Sequence, residues 1–132
     1  MRLLGLHHTA LIATDYPRSK KFYTEILGFR LLREEFRQHN QTWRADLLNG
    51  SIQIELFGHP SAPPRPTLPE AAGLRHLAFA VPNLDAAIAT LARLGVSSEP
   101  VRSDPLTGNR FTFFRDPDNL PLELCEPARP PA

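Results

Sequence analysis

Two histidines and two glutamates stand at matching places in this 132-residue sequence. Glu55 follows His8 by 47 residues, and Glu123 follows His76 by the same 47. Imidazole nitrogen and carboxylate oxygen are good ligands for borderline and hard divalent ions, at about 2.0–2.2 Å for zinc. Two neutral imidazoles and two carboxylates would neutralise a 2+ ion. They would leave two positions of an octahedral shell for water or a bidentate substrate. Each residue alone has an ordinary reading. A lone strand histidine is usually a satisfied structural side chain, and a glutamate between Ile54 and Leu56 follows from period-two alternation with its carboxylate in water. Two His/Glu pairs at one spacing, inside two copies of one pattern, favour metal binding by His8, Glu55, His76 and Glu123.

The elements that must position these residues read as an internal repeat. From His8 the chain runs HTALIATD and then PRSKKFYTEILGF. From His76 it runs HLAFAVPN and then LDAAIATLARLGV. Both are a His-headed apolar strand, a polar turn, an amphipathic helix and a closing glycine. Asp15 suits an N-cap with Pro17 in the first turn, and Asn83 or Asp85 caps the second helix. Gly28 and Gly95 sit where a left-handed C-terminal residue belongs. Ala87, Ile88 and Leu91 form the apolar stripe of the second helix. Extended segments follow each helix: 30–36, 42–48 and 51–57, then 97–102, 110–115 and 120–125. Asn49-Gly50 signals a tight hairpin, and the run from Asp116 to Asn119 signals a turn. The expected fold is α+β, built of two βαβββ modules. Module one spans about 6–58 and module two about 74–126. The connector between them, 58–73, holds five prolines and is expected to be ordered; its length also permits a substrate-covering loop. The proline-rich tail, 127–132, is expected to fray. The whole chain, 1–132, is expected to be one domain.

Composition narrows the classes. Hydrophobic residues make up 42%, enough for a real core, and the net charge is +1. No basic block marks a nucleic-acid binder. One cysteine, Cys125, precludes an intrachain disulfide. The N-terminus lacks a signal-peptide core, and no apolar run approaches the roughly 20 residues that span a bilayer. A cytoplasmic protein with no membrane or nucleic-acid partner is expected.

The segments HTALIATD, SKKFYTEILGF, IQIELF, GLRHLAFAV and FFRDPDNLPLEL resemble the vicinal oxygen chelate superfamily, which includes glyoxalase I, bleomycin resistance proteins and extradiol dioxygenases. GLRHLAF with RFTFFRDPDNLPLEL is most similar to its YaeR-like branch. The resemblance spans about residues 6–126. It implies paired βαβββ modules forming a cupped mixed sheet around a metal site, a homodimer, and one divalent ion (nickel, zinc, cobalt, manganese or iron) on His8, Glu55, His76 and Glu123. Extradiol dioxygenases and fosfomycin-modifying members typically lack a ligand at the position of Glu55. A carboxylate there resembles glyoxalase I and implies a metal-dependent lyase or isomerase acting by proton transfer on a small oxygen-chelating substrate. By resemblance Glu123 is the first choice of base and Glu55 the second. Two positions depart from glutathione-using glyoxalases: Ile12 stands where an arginine grips glutathione, and His59 where an asparagine is usual. An iron-dependent dioxygenase and a non-catalytic binding or resistance protein are the competing expectations.

Other side chains are candidates for the same site. Arg44, Arg75 and Arg110 could meet an anionic substrate, Arg110 foremost because it enters a strand beside the expected cup. Cys125 shares a strand face with Glu123 but suits packing better than ligation. Trp43 suits the core better than a pocket wall. His7 should point away from His8 by strand alternation, and His39 and His59 fall in turns.

Overall fold

A computed structural model describes residues 1–128, so residues 129–132 of the tail expected to fray lie outside the described residues. Two compact units divide the chain after Pro64. The fold is α+β, and each unit is one βαβββ module with a four-stranded mixed sheet.

In the first unit β1 (Thr9–Ala13) leads to α1 (Tyr16–Lys21), which widens into a π-helical stretch (Phe22–Ile26), followed by β2 (Arg30–Arg37), β3 (Thr42–Asn49) and β4 (Ile52–Gly58). The sheet order is β1-β4-β3-β2, with β1 parallel to β4 and the other pairs antiparallel. The Asp15 carboxylate caps α1 by accepting from the Arg18 N–H at 3.1 Å, and Pro17 lies in the first turn, as expected. The helix does not stay α-helical to Gly28. The Thr24 hydroxyl donates to the Lys20 carbonyl at 2.8 Å, as the Thr90 hydroxyl later does to the Ala86 carbonyl at 3.0 Å. The Leu27 N–H then reaches back to Phe22, one residue further than an α-helix allows. Gly28 follows at φ 71°, where a side chain would be strained. The hairpin after β3 turns on Gly50-Ser51, one residue later than expected, because Asn49 is itself paired with Ile52. The Asn49 amide instead donates to the Leu27 carbonyl at 3.0 Å.

The second unit repeats the plan with β5 (Leu77–Ala80), α2 (Leu84–Arg93), β6 (Arg102–Ser103), β7 (Arg110–Arg115) and β8 (Pro121–Glu126), in the order β5-β8-β7-β6. Asn83, rather than Asp85, caps α2, accepting from the Ala86 N–H at 2.9 Å. The segment expected as a strand over 97–102 pairs regularly only at its end. Pro100 has no N–H to give a ladder, so Glu99 alone is tied to β7, donating its N–H to the Phe113 carbonyl at 2.8 Å and accepting from the Thr112 hydroxyl at 2.6 Å.

In both units, alternation assigns the two faces of the strands. Ile54 and Leu56 on β4 and Leu122 and Leu124 on β8 are buried; α1 lies against β4 and α2 against β8. Glu55, Glu123 and Cys125 fall between these anchors and face the other way. The turn from Asp116 to Asn119 fixes where β8 begins. The Asp116 carboxylate is buried and accepts from the N–H groups of Asp118 and Leu120 at 2.9 and 2.8 Å, while Asn119 takes φ 66°. Asp116→Ala orphans both donors and is expected to cost about 1–3 kcal/mol. Chemical denaturation checks this, and an unchanged midpoint would contradict it.

The connector is ordered and divides between the units. The Thr67 side chain is buried, its hydroxyl donating to the Asn119 carbonyl at 2.8 Å. The Arg65 guanidinium donates to the carbonyls of Leu74 and Arg75.

Candidate metal centre

His8 immediately precedes β1, and its Nε2 stands 3.5 Å from Glu55 Oε2 on β4. His76 immediately precedes β5, and its Nε2 stands 3.1 Å from Glu123 Oε2 on β8. The registers match: Ala10 lies opposite Glu55, and Ala78 lies opposite Glu123. A small alanine on the neighbouring strand leaves each carboxylate room beside its histidine. Two ligands on one ion, each about 2.1 Å away and at right angles, would sit roughly 3 Å apart. Both pairs have about that separation, and their donor chemistry fits a divalent ion. The structure thus brings His8 to Glu55 and His76 to Glu123. No group of three or more His, Cys, Asp or Glu side chains arranged to hold a metal occurs among the described residues.

The surroundings of the two glutamates differ. Asp46 on β3 lies opposite Glu55, and Arg44 bridges the two carboxylates at 3.2 and 3.0 Å. Arg33 closes the chain on Asp46 at 2.7 Å. Asp46 is buried, and two guanidinium groups compensate its charge. The Arg44 contact takes Glu55 Oε1 and leaves Oε2 toward His8. Opposite Glu123 stands Phe113, whose ring meets the His76 ring edge-on at 5.1 Å. No arginine or lysine is ion-paired with Glu123 among the described residues.

His7 corrects an expectation. Strand alternation does not apply to it, because β1 begins only at Thr9. Its Nδ1 lies 2.8 Å from His8 Nδ1. That contact engages the inner nitrogen of His8 and leaves Nε2 toward Glu55, the orientation a metal-binding imidazole needs. His7→Phe is therefore expected to weaken metal binding about 10–100-fold, the usual effect of losing such a partner. A titration indistinguishable from the wild type would contradict this.

The second unit also holds a cleft of about 520 Å³, walled by His76, Glu123, Cys125, Phe111, Phe113 and the latter half of the connector, including Arg65 and Thr67. Part of the connector thus walls the cleft that contains one His/Glu pair. Burial, with the charges of Glu123 and Asp104, pushes the Cys125 thiol up.

Arg110 does not reach this face. It shares a register with Glu126 on the α2 side of the sheet and pairs with Asp85 at 2.9 Å. Arg75 is held by Glu70, and Arg44 serves Glu55 itself. Trp43 is not in the core. It is 42% exposed, stacked on Tyr16 in the wall of a second, shallow cleft. There the Tyr16 hydroxyl is pushed up by burial and by its 2.6 Å hydrogen bond to Glu34. Sequence reasoning passed over Arg115, which alternation from Phe113 places on the face of Glu123, and Arg102, which lies opposite Phe111. His39 and His59 are exposed in turns, and Ile12 is exposed on the face that carries Glu55.

No helix is long and apolar enough to cross a membrane among the described residues. Residues 5–124 match the family model for the Glyoxalase/Bleomycin resistance protein/Dioxygenase superfamily. An uncharacterised Escherichia coli protein, YaeR, is 56% identical over 128 residues, covering 94% of this chain and 99% of that one. A crystal structure of a glyoxalase family protein from Enterococcus faecalis superposes with a TM-score of 0.90 at 47% identity, over 96% of this chain and 100% of that one. A lactoylglutathione lyase of Schizosaccharomyces pombe is 30% identical over 146 residues, covering 94% of this chain and 48% of the lyase. On these matches and on its paired βαβββ modules, the chain belongs to the Glyoxalase/Bleomycin resistance protein/Dioxygenase superfamily.

Proposed function

We propose that this protein is a divalent-metal-dependent lyase or isomerase that moves a proton on a small substrate with neighbouring oxygens. The observation that carries the reading is the duplicated pair: one imidazole nitrogen and one carboxylate oxygen, 3.5 and 3.1 Å apart, at equivalent places in two modules. On this reading all four side chains hold one ion, and the two modules form one domain. A bound divalent ion would draw charge from neighbouring substrate oxygens and so acidify the adjacent C–H.

The protein's own groups divide the remaining work. Arg44, itself held by Asp46, fixes Glu55 in place, which suits a permanent ligand. Glu123 has no such clamp and is the carboxylate able to take a proton from one carbon and return it to another. Phe111 and Phe113 line the cleft beside it. Glu123→Gln keeps an oxygen donor but removes the base. Screening a library of hydroxy and keto compounds against metal-loaded protein should reveal a turnover that this variant loses while it retains metal. Ligand affinity undiminished by metal removal would point instead to a binding protein. Oxygen uptake with catechols, retained by Glu55→Gln, would point to a dioxygenase.

The hemithioacetal of methylglyoxal and glutathione is expected to be a poor substrate, despite the likeness to lactoylglutathione lyase. Exposed Ile12 offers no cation to a glutathione carboxylate where glutathione-using relatives are expected to carry an arginine, and His59 replaces their usual asparagine. A kcat/KM below about 10⁴ M⁻¹s⁻¹ is expected; a value within the range of efficient enzymes would contradict this.

We further propose a cytoplasmic homodimer. Charged β2, with exposed Leu31 and Leu32, and the outer edge of β1 are strand edges that a twofold partner could cover. Mixing His8→Ala with His76→Ala under subunit exchange tests how sites are assembled: activity returns if each ion uses modules from two chains, and stays absent if it uses one. A monomer by light scattering at micromolar concentration would overturn the dimer.

A further inference from the structure

The cleft of the second unit contains more cationic groups than the metal reading uses. Arg65, Arg75, Arg102 and Arg115 all line it. Two are already committed: Arg65 to the carbonyls of Leu74 and Arg75, and Arg75 to Glu70. The other two flank Glu123 on its own face of the sheet. Register makes this explicit. Glu123 lies opposite Phe113, Cys125 opposite Phe111, and Phe111 opposite Arg102. On the other side Arg115 lies opposite Pro121. Leu77 pairs with Leu122, so the same register carried one residue back aligns His76 with Pro121 and Arg115. Diagonal neighbours across a ladder lie about 7–8 Å apart, within reach of an arginine side chain.

The contacts agree with the register. The Arg102 guanidinium lies 5.1 Å from the centre of the Phe111 ring and 5.7 Å from that of Phe113. Phe113 in turn abuts the His76 ring at 5.1 Å. One aromatic ring therefore separates the guanidinium from the metal-binding histidine. The partner of Arg102, Glu99, is 3.4 Å away with both side chains more than half exposed, a pairing that water screens. Arg115 has no ion pair among the described residues. Of the other acidic groups of the wall, Glu70 is engaged with Arg75 and Asp104 with the N–H groups of Leu106 and Thr107 at 2.7 and 3.3 Å, while Glu99 stays on Arg102. With an ion on Glu123 the cleft is cationic, and guanidinium groups match carboxylate and phosphate oxygens in pairs.

We propose that Arg102 and Arg115 form an oxyanion subsite beside His76 and Glu123, so that the substrate carries a carboxylate or phosphate next to its chelating oxygens. The placement of the chelating oxygens rests on the metal reading above; the anion subsite is built by the second unit alone. Glycerol, glycerate and glycerol 3-phosphate share neighbouring oxygens and differ in the anion, so they serve as probes. Calorimetry on the full, manganese-loaded chain is expected to show at least one of the two anions binding about tenfold or more tighter than glycerol. Whichever anion gains identifies the group. Arg102→Met and Arg115→Met should each remove most of that preference while leaving manganese affinity within about twofold. Equal binding of all three probes, or a preference that both variants retain, overturns the proposal. If manganese does not bind, the metal reading fails, and inorganic phosphate titrated into the metal-free protein decides the subsite. Binding that Arg115→Met abolishes supports it; absent binding, or binding that the variant leaves unchanged, overturns it.

Discussion

His76→Ala is expected to weaken divalent-metal binding by more than about a hundredfold, beyond the usual effect of losing an outer-shell partner. His76 Nε2 faces Glu123 Oε2 at 3.1 Å, and on the proposed four-residue site its loss removes one of the two nitrogen ligands. His76 is half-buried against Phe113 and carries no core packing of its own, so the fold should survive the change. Unchanged far-ultraviolet circular dichroism with lost metal affinity is the expected pair of results. Wild-type metal affinity in the variant would remove His76 from the site.

Leu122→Ala should act in the opposite way, on the fold first. Leu122 is fully buried beneath β8, opposite Leu77, and is next in sequence to Glu123. Truncating a buried leucine costs about 2–5 kcal/mol, through lost transfer energy and the cavity left behind. For a chain of this size that lowers Tm by on the order of 10 °C. Metal bound to the folded state should recover part of the loss by mass action. Thermal melts with and without added metal measure both effects. A Tm within a degree or two of the wild type would show that β8 is not anchored as described.

The parts of the fold legible in the sequence are those set by local rules. The repeated His-strand-helix-Gly pattern disclosed two modules, and Asp15, Asn83, Gly28 and Asn119 punctuate them by cap and turn chemistry that needs no tertiary contact. The short β6 was not legible as such, because the loss of pairing at Pro100 depends on where β7 lies. The π-helical turn shows in the Leu27 N–H reaching back to Phe22, a shift that periodicity does not encode. At the candidate site, equal spacing named the pairs His8/Glu55 and His76/Glu123, because duplicated modules place equivalent residues alike. The roles of neighbouring arginines were misjudged, since they depend on strand register. Arg110 turns to the helix side and Arg44 clamps Glu55, while Arg102 and Arg115 share the face of Glu123. Strand alternation does not place His7, because β1 begins only at Thr9.

The central claim is that two separate His/Glu pairs serve one ion. Metal titration of the chelator-treated, full-length protein, followed by equilibrium dialysis and elemental analysis, tests it most directly. The predicted result is one tightly bound divalent ion per chain, lost alike in His8→Ala, Glu55→Ala, His76→Ala and Glu123→Ala. Two independent ions per chain, or one ion that survives loss of either histidine at wild-type strength, would contradict it.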